Sequence, residues 1–405
     1  MFNTNPLFTP GKLTTIMDGG AGSSGKGKLG AFIAEHADNW TFACNTFMPQ
    51  AGHWVRDDDG GEYFYQTFNS CAYQDKYERL LIGPGSIIEL PALLREIEES
   101  NIDPKKIGIS PTVAVLQDID ASFERGEVDL DGKPLEDLGD GTMKSGSTCH
   151  GVGAARARRI LRRPNTLLAR DIPELKEFIC DVPGEIMNRL DKGESGMLEV
   201  AQGFQLSYCL PMFYPYCTSR NCTVSAGLDD LMIPPKYAGN VVLNFRTFPI
   251  RIANDKYVGE DGHHLTWDEI QAGVPHTVYK GSSGPGYDDQ EEITWDEVTK
   301  QSRSDTPIVE LTSVTKMPRR VFTFSKKNLL EAIKYNDTGY KVHISINFAN
   351  YVDSEISEMR GDIHSMPGHF RKWLVDNVMS EIPDNVEMSF LGTGAKTDDM
   401  LTSFV

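Results

Sequence analysis

The chain has 405 residues, 40% of them hydrophobic, and a formal net charge of −18. That length can bury one large α/β core or two to three smaller ones. The acidic balance excludes a protein that coats nucleic acid or rests on an anionic membrane, since both need clustered Lys and Arg.

Met1 to Lys12 is polar and contains proline, without a signal-peptide core, and is expected to be a flexible extension. Apolar runs predict strands over 14–17, 41–47, 106–109, 197–200, 240–252, 308–315, 340–349 and 386–391. Helical spacing predicts helices over 25–36, 90–100, 172–191, 326–335 and 369–381. This alternation implies an α/β fold with a largely parallel sheet, with a phosphate-binding loop after the first strand. Acidic, glycine-containing stretches near 126–146 and 254–292 read as long loops. Thr266 with Glu269, and Thr294 with Glu297, are capping boxes that start helices. Seven cysteines without C-x-x-C spacing read as reduced thiols in a cytoplasmic protein. No apolar run approaches the roughly 18 residues that span a membrane.

The first strand runs into Asp18-Gly19-Gly20-Ala21-Gly22-Ser23-Ser24-Gly25-Lys26-Gly27-Lys28. Glycines let backbone approach a ligand, and a helix N-terminus offers N–H groups to an anion. Gly20 to Lys26 fits G-x-x-x-x-G-K, but Gly27 stands where a phosphate loop places Ser or Thr on magnesium. Four more stretches combine small, hydroxyl and basic residues. They are Gln50-Ala51-Gly52-His53, Gly146 to Gly153 ahead of Arg162, Gln202-Gly203 with Tyr214 to Asn221, and Gly281-Ser282-Ser283-Gly284. Arg156, Arg158, Arg159, Arg162 and Arg163 form a basic cluster that reads either as a solvated helix face or as a local anion site.

Taken in order from about residue 14 to 400, these motifs resemble adenylosuccinate synthetase. Gly22 to Lys28 is similar to its G-D-E-G-K-G-K, Gln50 to His53 to its N-A-G-H, and Leu391 to Thr397 to its nucleotide-base loop. The resemblance implies a single large α/β domain over 1–405 around a mostly parallel central sheet, acting as a homodimer that joins aspartate to C6 of a purine monophosphate after phosphorylating the 6-oxygen. It implies that Arg162 crosses to the neighbouring subunit's substrate phosphate.

Three departures point to a branch of the family. Ser23 replaces the family's catalytic aspartate, leaving room beside a 2-amino group whose hydrogen bond a hydroxyl can accept. Ser313 and Thr315 replace the lysine and aspartate that recognise the guanine of GTP, so ATP is the expected donor. Pro285 replaces an arginine on the ribose 2'-hydroxyl, which suits a deoxyribose. All three match the phage 2-amino-2'-deoxyadenylosuccinate synthetases, which make a diaminopurine DNA precursor from dGMP, L-aspartate and ATP.

The resemblance implies catalytic roles for Ser23, Lys26 and His53. It implies ATP contacts from Ser23, Gly25, Lys26, Gly27, Lys28, Gly52, His53, Thr315, Gly392, Thr393 and Gly394. It places dGMP against Ser23, Gln50, Ser147, Thr148, Arg162, Gln202 and Thr218. It places aspartate against Arg251, Ile252, Ser282, Ser283, Gly284 and Pro285, and Mg2+ against Ser23 and the Gly52 carbonyl. The same residues also admit an adenylosuccinate synthetase using IMP and GTP, a non-catalytic purine-nucleotide binder, or a small-molecule kinase.

Overall fold

The computed structural model describes residues 7–135, 149–210, 212–260, 265–312 and 316–404. Ten strands form the central sheet: β1 Leu13–Asp18, β2 Phe42–Asn45, β3 Arg79–Ile82, β4 Ile107–Ile109, β5 Gly196–Gly203, β6 Ala238–Arg246, β7 Val342–Asn347, β8 Gly361–Asp362, β9 Val386–Gly392 and β10 Met400–Thr402. Their order across the sheet is β8-β10-β9-β7-β6-β1-β5-β2-β3-β4. All neighbours run parallel except β9 and β10.

Strands β1 and β6 are buried along their whole length, as a parallel sheet covered on both faces requires. Alternate residues divide between two cores: Val241 and Leu243 pack with Leu198 and Val200 on one face, and Val242 with Ile16 and Met197 on the other. Helix α1, Lys26–His36, follows β1 on a left-handed Gly25. Helix α2 spans Val152–Ile160, and α3, Lys326–Tyr335, is capped by the Ser325 hydroxyl accepting from Asn328 N–H.

The long strand expected over 240–252 ends at Arg246, and Ile250–Arg251 joins a second small sheet instead. Pro249, which has no N–H to give a ladder, lies in the break. The helix expected over 172–191 is a 3-10 turn, Pro173–Phe178, then an α-helix, Val182–Asp191, restarted by Asp181 accepting from Gly184 N–H at 3.1 Å. Pro183 sits in its first turn, where proline costs no hydrogen bond. The helix expected over 369–381 is α over Gly368–Leu374 and continues as a π turn over Val375–Met379.

Residues 308–312 of the expected strand at 308–315 form no strand, and Leu311 makes only an isolated bridge to Pro318. Residues 313–315 lie outside the described residues. The stretch 254–292 holds a hairpin, Lys256–Gly259 with His276–Tyr279, and a short helix, Trp267–Gln271. Both capping boxes form, with Glu269 and Glu297 each accepting the cap N–H at 2.7 Å. Of the extension expected over 1–12, residues 7–12 are packed: Leu7 and Phe8 are buried, and the Leu7 carbonyl accepts from Thr14 and Asn240. None of the seven cysteines is bridged, and no helix among the described residues is long and apolar enough to cross a membrane.

His343 on β7 is 1% exposed and hydrogen-bonds Ser389 through Nδ1 at 2.8 Å. Burial pushes its imidazole down to about 4, against the pull of Glu387. Between about 6.5 and 4 the unfolded chain therefore binds the extra proton, and stability falls as pH falls. The expected loss across that window is up to about 3 kcal/mol, at about 1.4 kcal/mol per pKa unit. Unfolding midpoints measured from pH 7 to pH 4 should show it, and His343→Asn should flatten the slope.

Candidate active site

The carboxyl ends of the parallel strands converge on one crevice, the usual place for a ligand in such a sheet. The loop after β1 lies at its centre. Asp18 closes that loop: its Oδ1 accepts from Gly20 N–H at 2.6 Å and Gly22 N–H at 3.3 Å. Ser23 is exposed at the crown in a left-handed conformation, φ 52°, with its carbonyl held by Arg246 Nη1 at 2.8 Å. Asn244 fixes Ser24 through both its carbonyl and its hydroxyl, and Asn328 Nδ2 holds the Gly19 carbonyl at 3.0 Å.

Lys26 is 5% exposed, and its Nζ meets Glu199 Oε2 at 3.3 Å. Glu199, on β5, is fully buried and also accepts from Ser70 N–H at 2.8 Å and Ser70 Oγ at 2.9 Å. Burial pushes the Lys26 ammonium down, and Glu199 opposes this. The ammonium also lies 4.9 Å above the Phe47 ring, which packs 4.7 Å from the His53 ring. A Cβ at Gly27 would come within 2.9 Å of His53 Cβ, so glycine there lets the hairpin carrying His53 seat on α1. His53 Nε2 is buried without a hydrogen-bond partner among the described residues. Burial first, and the Lys26 charge second, hold this imidazole well below 6.5, so it is neutral near pH 7.

Gly203, at the end of β5, packs on the loop so closely that a Cβ would lie 2.3 Å from the Gly20 carbonyl and 2.7 Å from Asp18 Oδ1. The neighbouring Gln202 is strained at φ 64°, and its Nε2 has no hydrogen-bond partner among the described residues. Gln50 Nε2 donates to Thr218 Oγ1 at 3.4 Å, joining two of the expected monophosphate-site elements. Arg251 is buried over the Phe213 ring, and Nη1 donates to the Ser283 carbonyl while Nη2 is unpartnered. Burial, reinforced by Arg320, pushes its guanidinium down to about 10, leaving it a cation at neutral pH. Ser283 Oγ donates to the Ile252 carbonyl at 2.7 Å, and Gly284 N–H donates to Ser282 Oγ at 3.0 Å; Pro285 next to them is exposed. Arg320 Nη1 reaches Ser283 Oγ at 3.0 Å and the Gly284 carbonyl at 2.8 Å, bracing this loop from the opposite strand.

Lys28 donates to the carbonyls of Gly394 at 2.7 Å and Asp399 at 2.6 Å, tying α1 to the segment after β9. Thr393 is fully buried with its hydroxyl on the Met359 carbonyl, and Gly392 is buried beside Asn347. Within the arginine cluster, Arg158 is a structural ion pair, buried with Asp120 at 2.7 Å. Arg162 is exposed at φ 54° after α2 and makes no ion pair among the described residues. Ser147, Thr148 and Thr315 lie outside the described residues.

Asp18, Glu199, Asn244, Arg246 and Asn347 were not assigned from the sequence. Asp18, Arg246 and Asn347 end their strands, Asn244 lies two residues before the end of its strand, and Glu199 lies mid-strand; a polar residue in a buried strand was the available signal.

No protein-family model matches the chain. The N6-succino-2-amino-2'-deoxyadenylate synthase of Vibrio phage phiVC8 is 30% identical over 346 residues, 83% of this chain and 85% of that protein. The chain belongs to the N6-succino-2-amino-2'-deoxyadenylate synthase family. It is thus an enzyme, a carbon–nitrogen ligase related to adenylosuccinate synthetase. The succinoaminodeoxyadenylate synthetase of cyanophage S-2L, solved with dGMP and with dATP as an energy donor, superposes with a TM-score of 0.72 at 27% identity, covering 97% of this chain and 95% of that one. Adenylosuccinate synthetase from Plasmodium falciparum shares the fold, with a TM-score of 0.70 at 16% identity over 96% of this chain and 99% of that one.

One prediction follows from Arg251, the buried cation of the synthase site. Arg251→Ala should raise the KM for L-aspartate about 10- to 100-fold, the worth of one or two charge-assisted hydrogen bonds. Steady-state kinetics with aspartate varied should show this, with the nucleotide KM values within threefold of wild type.

Proposed function

We propose that this ligase joins L-aspartate to C6 of dGMP, giving 2-amino-2'-deoxy-N6-succinyl-AMP with ADP and phosphate from ATP. The guanine 6-oxygen attacks the γ-phosphate first, and the aspartate amine then displaces phosphate at C6. Lys26 and the loop amides neutralise the charge that develops on the phosphoryl group. His53 donates to the 6-oxygen or the bridging oxygen from a dry, neutral imidazole. Gln202 holds the base, Thr218 and Gln50 border the monophosphate, and Arg251 with the Ser282–Pro285 loop takes the aspartate carboxylates. Arg162, exposed and without an ion pair among the described residues, supplies its guanidinium to the partner's substrate phosphate in a homodimer.

The observation that carries this reading is Ser23, a short hydroxyl exposed at the loop crown with its backbone pinned by Arg246. An acid there would crowd an exocyclic 2-amino group, whereas a hydroxyl can accept from it. The cyanophage S-2L synthetase, solved with dGMP and dATP, supports the same substrate class. The Ser23 hydroxyl and the Gly52 carbonyl are oxygen donors of the kind magnesium takes beside phosphates, and Gly52 is exposed toward solvent. They fit Mg2+, which when bound would offset phosphate charge.

Incubation with dGMP, L-aspartate, ATP and Mg2+ should yield the succinyl adduct by mass analysis, in preference to GMP or IMP. Adduct formed only from IMP and GTP would overturn the proposal.

A further inference from the structure

Attack by the 6-oxygen requires guanine to lose its N1 proton, because the lone pair that bonds phosphorus comes from the lactam. Resting on the dGMP reading, this demands an acceptor, and the hydroxyl of Ser23 is far too weak a base near neutral pH. Among the described residues three carboxylates adjoin the loop or the side chains that hold it, and that of Glu310 is paired with Arg246. Both oxygens of Glu199 are consumed by Ser70 and Lys26. Asp18 differs: Oδ1 caps the loop amides, while Oδ2 is buried with no hydrogen-bond partner among the described residues.

Asp18 is 2% exposed and lines a crevice with Gly20, Gly22, Ser24 and Asn328. Gly203 packs against its carboxylate, so the same carboxylate adjoins the element that bears Gln202. A buried acceptor left unsatisfied is costly, and an entering N–H would relieve it. Burial raises the carboxyl above its ordinary value, against the pulls of Ser24, the loop amides and Lys26.

We infer that Asp18 is the general base of this enzyme, receiving the N1 proton of guanine on Oδ2. In that step the N1–H bond breaks and the proton passes to Oδ2. The electron pair shifts through N1 and C6 to the 6-oxygen, which bonds the γ-phosphorus as the bond to ADP breaks. The neutral carboxyl returns its proton to solvent after product leaves. The old carboxylate position is thus not simply lost; its task moves five residues back along the same loop.

Asp18→Asn keeps an oxygen to accept from Gly20 and Gly22 but cannot take a proton. Its kcat should fall about 10²- to 10⁴-fold, the usual range for a lost general base. Its dGMP affinity and its unfolding midpoint should stay close to wild type. Formate should partly rescue the turnover of Asp18→Ala, a response that a purely structural role would not give. Asp18→Asn turning over within threefold of wild type overturns the inference, as does failure of the formate rescue. If wild type itself forms no succinyl adduct from dGMP, the functional reading fails instead.

Discussion

Lys26→Met is expected to abolish useful turnover and to destabilise the fold, and the two effects should separate in a double variant. The ammonium belongs to the first residue of α1, directly after the loop, and removing one preorganised electrostatic group at a transferring phosphoryl costs about 10²–10³ in kcat. The same change leaves Glu199 fully buried with only Ser70 as a donor. An uncompensated buried charge costs about 3–5 kcal/mol. Neutralising the partner as well, in Lys26→Met with Glu199→Gln, should return most of that stability without restoring turnover. Unfolding midpoints beside kcat for the two single variants and the double would show it. Full activity in Lys26→Met would mean that the ion pair is a core feature and that the loop works through its amides alone.

Much of this arrangement was legible in the sequence because it depends on local rules. The loop after β1 announces itself through clustered glycines between an apolar run and a helix, and α3 emerges at the expected bounds of 326–335 from its spacing and its Ser325 cap. The capping boxes at Thr266 and Thr294 likewise need only neighbours in the chain. What failed depends on tertiary choices. Residues 308–312 are apolar enough for a strand, yet no sheet edge is presented to them, and Glu310 is drawn into an ion pair with Arg246. Lys28 reads as a second phosphate ligand beside Lys26, and two residues further round the helix its ammonium is held by carbonyls more than 360 residues distant in sequence. Arg158 reads as surface charge and is instead locked on Asp120. Long-range partners of this kind leave no local trace, whereas Glu199 left one: a lone acid within the buried run Gly196–Gly203.

His53→Ala is expected to lower kcat by about 10²–10⁴ while leaving the KM for ATP within threefold, the pattern of a lost proton donor rather than a lost binding contact. The ring packs against Phe47 and its Cβ seats closely on Gly27, contacts that place it without a hydrogen bond at Nε2. That bracing leaves Nε2 available, and its burial means that an oxygen arriving there meets no competing water. Because the imidazole is held neutral, it acts through an N–H hydrogen bond and not as an imidazolium. His53→Asn, which keeps a side-chain N–H of shorter reach, should therefore recover part of the lost rate, and His53→Phe, which fills the space without a donor, should not. Steady-state kinetics for the three variants would check this ordering. A His53→Phe enzyme as fast as His53→Asn would assign the ring to packing of the hairpin on α1 rather than to chemistry.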